Sequence, residues 1–156
     1  MKAKNLPYLV LLPLLFGCED TSLPVTNERI IGTWECSFDV EPNIELTYKE
    51  MYSEDGTYRN IGIITFLLPY HTAGKAQYEI SYDGTWKLED GKRIVLEHPN
   101  GSEHKAIDTE QIQVTEQLEF MLSFMPDTSY FDVDFPTENT MIQKPPETSK
   151  YTCSKI

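Results

Sequence analysis

The chain has 156 residues, with thirteen Lys and Arg against twenty-five Asp and Glu and a formal net charge of −12 at pH 7. That length supports one domain, and so acidic a balance excludes binding to nucleic acid, which depends on Lys and Arg neutralising phosphates. It equally opposes adhesion of the domain itself to an anionic lipid surface, so any attachment to a membrane has to come from another feature of the chain.

The first seventeen residues are laid out as an export signal. Lys2 and Lys4 supply a positive end, and Leu6 to Phe16 is apolar apart from Pro7, Pro13 and the hydroxyl of Tyr8. A run this short cannot span a bilayer as a helix, which takes about 20 apolar residues, and its prolines oppose a long helix. Leu15-Phe16-Gly17-Cys18 follows, then Glu19-Asp20. The tetrapeptide resembles the lipobox of bacterial lipoproteins, with Phe16 where the pattern has a small residue. The resemblance implies cleavage before Cys18, diacylglycerol on its sulfur and acylation of its amine. Several acyl chains make attachment stable where one alone holds only marginally. Residues 1–17 then form a signal peptide, and 18–28, which include Pro24 and several small or polar residues, form a lipidated tether. Glu19 stands where an aspartate would resemble an inner-membrane retention signal. The expected location is therefore the bacterial envelope, at the outer membrane and facing the periplasm. Lys2 and Lys4 leave with the signal, so residues 18–156 keep eleven basic groups against twenty-five acidic ones, formally −14.

From residue 29 onward alternation with period two dominates, and no stretch of ten or more residues keeps a helical period. Trp34, Cys36 and Phe38 share one face of a first strand; Ile44, Leu46 and Tyr48 share one face of a second. Ser53-Glu54-Asp55-Gly56 reads as a tight turn, returning as a third strand over Thr57 to Ile64. Thr65 to Ala76 breaks the rhythm and reads as a long loop, with Phe66 to Tyr70 either a lid or contact surface at a barrel mouth or a plug for one end of the core. Tyr78, Ile80 and Tyr82 alternate next, Asp83-Gly84 reads as a hairpin turn, and Trp86 and Leu88 continue beyond it. Ile94, Leu96 and His98 follow the turn at Glu89 to Lys92. A weakly patterned strand covers Lys105 to Val114, and Leu118, Phe120, Leu122 and Phe124 alternate as a clear one-faced strand. A short strand around Phe131 to Phe135 and a closing strand at Thr140 to Lys144 complete the set, and Pro145-Pro146 begins a C-terminal tail. Asp55-Gly56-Thr57-Tyr58-Arg59 and Asp83-Gly84-Thr85-Trp86-Lys87 are near copies and read as equivalent hairpins. Eight to ten short strands joined by hairpin-sized turns suit an all-β antiparallel meander, which escapes exposed edges by closing into a barrel.

Cys36 and Cys153 remain once Cys18 is assigned to lipid, and an even number in an oxidising compartment suggests a bridge. It would close a loop of about 117 residues, for which chain entropy predicts roughly 4–5 kcal/mol. The other reading has Cys36 buried beside Trp34 and Cys153 free in the tail.

Gly32-Thr33-Trp34 at the start of the first strand resembles the opening of lipocalins and of small bacterial lipocalin-like domains. The run from Asp83 to Leu88, followed by Gly91-Lys92-Arg93-Ile94, is similar to the central hairpins of the bacterial domains. The likeness extends over residues 29 to 144 and implies a lipocalin-like barrel of about eight strands, with Trp34 packed across its floor. The helix that usually follows a lipocalin barrel has no counterpart here.

The residues point to no enzyme and no cofactor. The serines lack a nucleophile-elbow setting, and no glycine-rich phosphate loop joins a strand to a helix. His71, His98 and His104 form no ligand cluster. Asp127, Asp132, Asp134 and Glu138 offer oxygens for a hard cation but lack EF-hand spacing, and a solvated acidic loop accounts for them as well. Trp34, Tyr48, Tyr58, Tyr78, Tyr82 and Trp86 are the candidate ligand-binding set: they either line a space for a small hydrophobic ligand or fill the barrel themselves. The sequence therefore favours a membrane-anchored extracytoplasmic protein that acts as an interaction or structural module of the envelope, with a carrier or sensor of a small hydrophobic ligand as the alternative. Replacing Cys18 with serine is expected to leave a protein that is exported but unlipidated and absent from the membrane fraction. Unchanged fractionation and migration of that variant would remove the lipoprotein reading.

Overall fold

The computed structural model describes residues 22–41, 43–67, 75–99, 101–108, 116, 118–120, 126–146 and 150–156. Cys18, the export segment and His71 lie outside them. One helical turn, α1 (Asn27–Ile30), comes first, with the Thr26 hydroxyl accepting from Arg29 N at its N-cap. Nine strands follow: β1 (Gly32–Glu41), β2 (Ile44–Tyr52), β3 (Thr57–Leu67), β4 (Lys75–Glu89), β5 (Arg93–Glu97), β6 (Glu103–Asp108), β7 (Thr128–Thr137), β8 (Thr140–Lys144) and β9 (Tyr151–Lys155).

Eight of them form a ring of antiparallel neighbours, β1-β2-β3-β4-β5-β7-β8-β9 and back to β1. This is a closed, lipocalin-like meander barrel, as the alternation and the Gly-x-Trp start imply. β6 adds no ninth stave, because it continues β5 along the same edge of β4. β5 pairs with residues 85–89 of β4 and β6 with residues 77–81. The interruption falls at Pro99, which has no backbone donor for a ladder, and Gly101, whose φ of 69° suits glycine.

Inward positions follow the period of two, and their apolar members gather towards the two ends. Trp34, Tyr52, Phe135, Met141 and Ile30 pack the end beside α1, where Trp34 Nε1 donates to Ile30 O at 2.8 Å. Lys155 Nζ lies 5.1 Å above the Trp34 ring, an aromatic face that attracts cations, and donates to Arg29 O. Leu23 N donates to Phe135 O at 2.8 Å, so the chain is already bound to the barrel ahead of α1. Ile64, Phe66, Ala76, Tyr78, Ile80 and Leu118 pack the far end. Trp34 thus occupies the floor position that the family resemblance implies.

Several expected elements differ. Asp83-Gly84 is no turn: β4 runs through it for fifteen residues, with Tyr58 opposite Gly84. A Cβ on Gly84 would sit 1.9 Å from Glu97 O, so the glycine there permits close passage of β5. Asp55-Gly56 is a true turn, with Gly56 at a φ of 82°. The two near copies are therefore cross-strand partners, Thr57 opposite Thr85, and not equivalent hairpins. Thr65 to Leu67 and Lys75-Ala76 extend β3 and β4, and Phe66 is a buried plug. Residues 118–120 are helical where a strand was expected. Leu118 is buried in the far cluster while Phe120 is exposed, so the apolar alternation does not mark a sheet face. Tertiary packing of Leu118 across the barrel end overrides the local pattern. The closing strand is β9 and not β8, because the segment beyond Pro146 returns to the sheet instead of trailing as a tail.

That return places Cys36 opposite Cys153 in register, and the two form a disulfide with Cα atoms 4.2 Å apart. Both are inside the barrel and buried. The link spans 117 positions of sequence, so it restrains the unfolded chain over most of the domain. Reduction, or replacement of both cysteines by serine, is expected to lower unfolding free energy by about 2–5 kcal/mol while preserving the strand spectrum. Urea titrations with and without reductant measure this; coincident curves would show that the bridge adds nothing.

Candidate functional site

The structure brings the six candidate aromatics onto the inward face, but not into one cluster. Trp34 stacks against Phe135 on the floor at a centroid distance of 5.8 Å, and Tyr78 meets Phe66 at the far end at 6.2 Å. Trp86 reaches Tyr52 at 5.5 Å, Tyr58 reaches Tyr52 at 5.1 Å and Tyr82 at 5.9 Å. Tyr48 faces Tyr151 at 6.4 Å. Trp86 Nε1 is satisfied by Ser53 O, which ties that ring to the β2–β3 turn. Gly62 on β3 stands opposite Tyr48, and a Cβ there would lie 2.9 Å from the tyrosine's own Cβ. The missing side chain is what admits the ring.

Between the two apolar ends lies a polar group centred on Glu50, which the period of two in β2 turns inward alongside Tyr48 and Tyr52. Glu50 is 2% exposed. Tyr52 OH donates to its Oε2 at 2.8 Å, Tyr58 OH to its Oε1 at 3.1 Å, and Gln143 Nε2 to Oε2. Asn60 Nδ2 in turn donates to Tyr58 OH at 3.2 Å, and Gln143 Nε2 is also 3.3 Å from Tyr52 OH. Burial pushes the Glu50 carboxyl above its ordinary value, and the three donors offset part of that rise. The hydroxyls of Tyr48, Tyr52, Tyr58, Tyr82 and Tyr151 are pushed up by burial first and by the Glu50 charge second, so they remain protonated at neutral pH. No ion pair among the described residues reaches Glu50.

Three buried polar atoms in this part of the barrel have no hydrogen-bond partner among the described residues: Asn60 Oδ1, Gln143 Oε1 and His98 Nδ1. His98 faces inward from the end of β5, with its ring 4.9 Å from that of Tyr82 and its Nε2 3.2 Å from Ser129 Oγ. Burial lowers its pKa, which keeps it neutral. Leu46, Tyr82 and Phe131 face inward yet retain accessible surface. Tyr82 lies where β4 has left its β6 partners and not yet met β5, at the interruption in the wall.

Other candidates resolve differently. His98 is buried while His104 is exposed on β6. Asp132 pairs with Arg93 at 2.8 Å, Asp134 with Lys144 at 3.8 Å and Glu138 with Arg29 at 3.1 Å, so three of the four expected acidic ligands are engaged separately. Cys36, Glu50 and Cys153 do place ligand atoms within 4.8 Å of one another. The two sulfurs are spent on the disulfide, however, which leaves one carboxylate. A groove of about 220 Å³ on the outer wall is lined by Arg93, Tyr130, Asp132, Lys144, Pro145 and Pro146. The Arg93–Asp132 pair already occupies its polar side.

The inward polar residues Glu50, Asn60 and Gln143 are absent from the sequence-based set, although extending the alternation Leu46, Tyr48 by one step would place Glu50 on the same face. Because its folded pKa is raised, the native state binds the Glu50 proton more tightly than the unfolded chain does. Its contribution to stability is full below the ordinary value of 4.5 and is lost as pH rises through the higher folded value. Glu50→Gln is expected to flatten that segment of the stability–pH curve. Its amide can be accommodated by a flip of Gln143, whose Oε1 is otherwise unpartnered. Urea midpoints of both proteins from mild acid to neutrality test this, and parallel curves would rule out titration of Glu50 in this range. The chain matches no known family model and no curated protein, and its role is to be argued from the geometry of this interior.

Proposed function

We propose that the barrel binds a small molecule in its interior, while lipid on Cys18 holds it at a bacterial envelope membrane on the periplasmic side of the outer membrane. The observation that carries the ligand reading is the set of unpartnered buried atoms, Asn60 Oδ1, Gln143 Oε1 and His98 Nδ1, beside a ring of inward tyrosines. Interiors pair nearly all of their buried polar groups, because an unmade hydrogen bond costs the full desolvation of the group. These three atoms are where the donors of an occupant, a ligand or a water, would be received. Leu46, Tyr82 and Phe131 also face inward and are only partly buried, which adds apolar and aromatic side chains to the same face, and a few oriented polar groups among such side chains are the ordinary make-up of a ligand site.

The interaction-module reading has the acidic surface in its favour, but Phe66, one of its candidate contact residues, is buried inside the barrel. Membrane attachment rests on the lipobox resemblance alone. No helix among the described residues is long and apolar enough to cross a membrane.

Protein purified from its own host and examined by native mass spectrometry is expected to carry a small-molecule mass that is released on unfolding. A ligand at about a hundredfold its Kd adds about 2.7 kcal/mol of stability, which a thermal melt detects. A bare polypeptide mass, together with no thermal shift across a panel of small aromatic compounds, would overturn the ligand reading in favour of the interaction module.

A further inference from the structure

We propose that the ligand of the barrel interior carries a protonated amine, which lies against Glu50 and takes Asn60 Oδ1 and Gln143 Oε1 as its further acceptors. The inference rests on the ligand-binding reading above and adds the chemical class.

Charge is the first argument. Glu50 is buried and enters no ion pair among the described residues. The one cation on the described inward face, Lys155, is committed to the floor by its contacts with the Trp34 ring and Arg29 O. A carboxylate taken out of water without a counter-charge is costly, and a ligand cation removes that cost.

The second argument is the polarity of the orphaned atoms. Asn60 and Gln143 both spend their NH2 groups inside the network, on Tyr58 OH and on Glu50. Flipping the Gln143 amide would turn its oxygen towards the Glu50 carboxylate, so the network fixes oxygen as the free end. Glu50 Oε1 accepts one bond, from Tyr58, and keeps a lone pair. The interior therefore offers three acceptors in one hydrogen-bonded group, which suits the three donors of a primary ammonium. A hard metal ion fits poorly, since it takes six to eight oxygens or a near-ideal octahedron, and the sulfurs beside Glu50 are already bonded to each other.

The walls agree with this. The rings of Tyr52, Tyr58, Tyr82 and Trp86 pack tilted or edge-on to one another with centroid distances of 5.1–5.9 Å around the carboxylate's donors, and aromatic rings attract organic cations. A chain of net charge −12 also raises the local concentration of cations in solution.

The test compares phenethylamine and tryptamine with their neutral alcohol counterparts by calorimetric titration, using the intact folded chain, Glu50→Gln and Asn60→Leu. The expected result is that each amine binds about tenfold or more tighter than its alcohol, and that Glu50→Gln abolishes this preference by weakening the amine far more than the alcohol. Asn60→Leu keeps the carboxylate and should weaken the amines by more than the alcohols, which gives a second reading should Glu50→Gln not fold. Equal binding of amine and alcohol, or an amine preference that survives in both variants, overturns the amine class but leaves the ligand reading standing. So does recovery from the host protein of a retained ligand with no basic nitrogen. Absence of any binding, together with a bare mass from the host, overturns both.

Discussion

The ladder between β1 and β9, from Trp34 opposite Lys155 to Ser37 opposite Thr152, turns an open sheet into a ring. Without those four pairs, β1 and β9 would each present a free edge and the inward face would be one side of a sheet. With them, a side chain that points inward has no route to bulk solvent except through the ends or an interruption in the wall. The disulfide sits within this ladder, joining the inward residues Cys36 and Cys153 where the strands already oppose each other. It reinforces closure at the seam where the first and last strands meet.

Closure makes Glu50 significant. On an open sheet a glutamate at the seventh position of a strand would turn to water at little cost. Inside the ring it is desolvated, and the fold answers with three donors drawn from β2, β3 and β8. Hydrogen bonds to a carboxylate stabilise it but do not neutralise it. Tyr58 and Gln143 serve as donors and are themselves tied to Asn60 and Tyr52, so the network links strands that are far apart in the ring. Such a network restricts how the inward side chains can repack, and it leaves its unmade bonds at defined atoms instead of spreading them over the interior.

Most of the wall was legible in the sequence, because period-two alternation reports directly which residues share a face. Trp34, Cys36, Tyr48, Tyr58, Tyr78, Tyr82 and Trp86 all fall on the inward side as their spacing requires. Two kinds of feature were not legible. Asp83-Gly84 carries a strong hairpin signal, yet whether it turns depends on β3 and β5 holding β4 straight on both edges, which no local pattern records. The helical turn at 118–120 is likewise decided by the space Leu118 fills at the barrel end. Glu50 escaped for a different reason. Its position follows from alternation, but a charged side chain is read as solvated by default, and only ring closure together with Tyr52, Tyr58 and Gln143 removes that default.

The interruption between β5 and β6 connects the wall to the interior. Pro99 cannot continue the ladder along β4, so residues 82–84 of β4 lack a partner on that edge among the described residues. Tyr82, at this point, keeps accessible surface although it faces inward, and His98 packs edge-on against it at the last position before the break. Tyr82 contacts Tyr58, and Tyr58 holds Glu50. A short chain of side chains thus leads from the break in the wall to the buried carboxylate. Gly84 lies against Glu97 and the His98 ring against Tyr82, so these groups fill the interruption, and a small molecule that entered here would have to displace the two rings to reach the polar group.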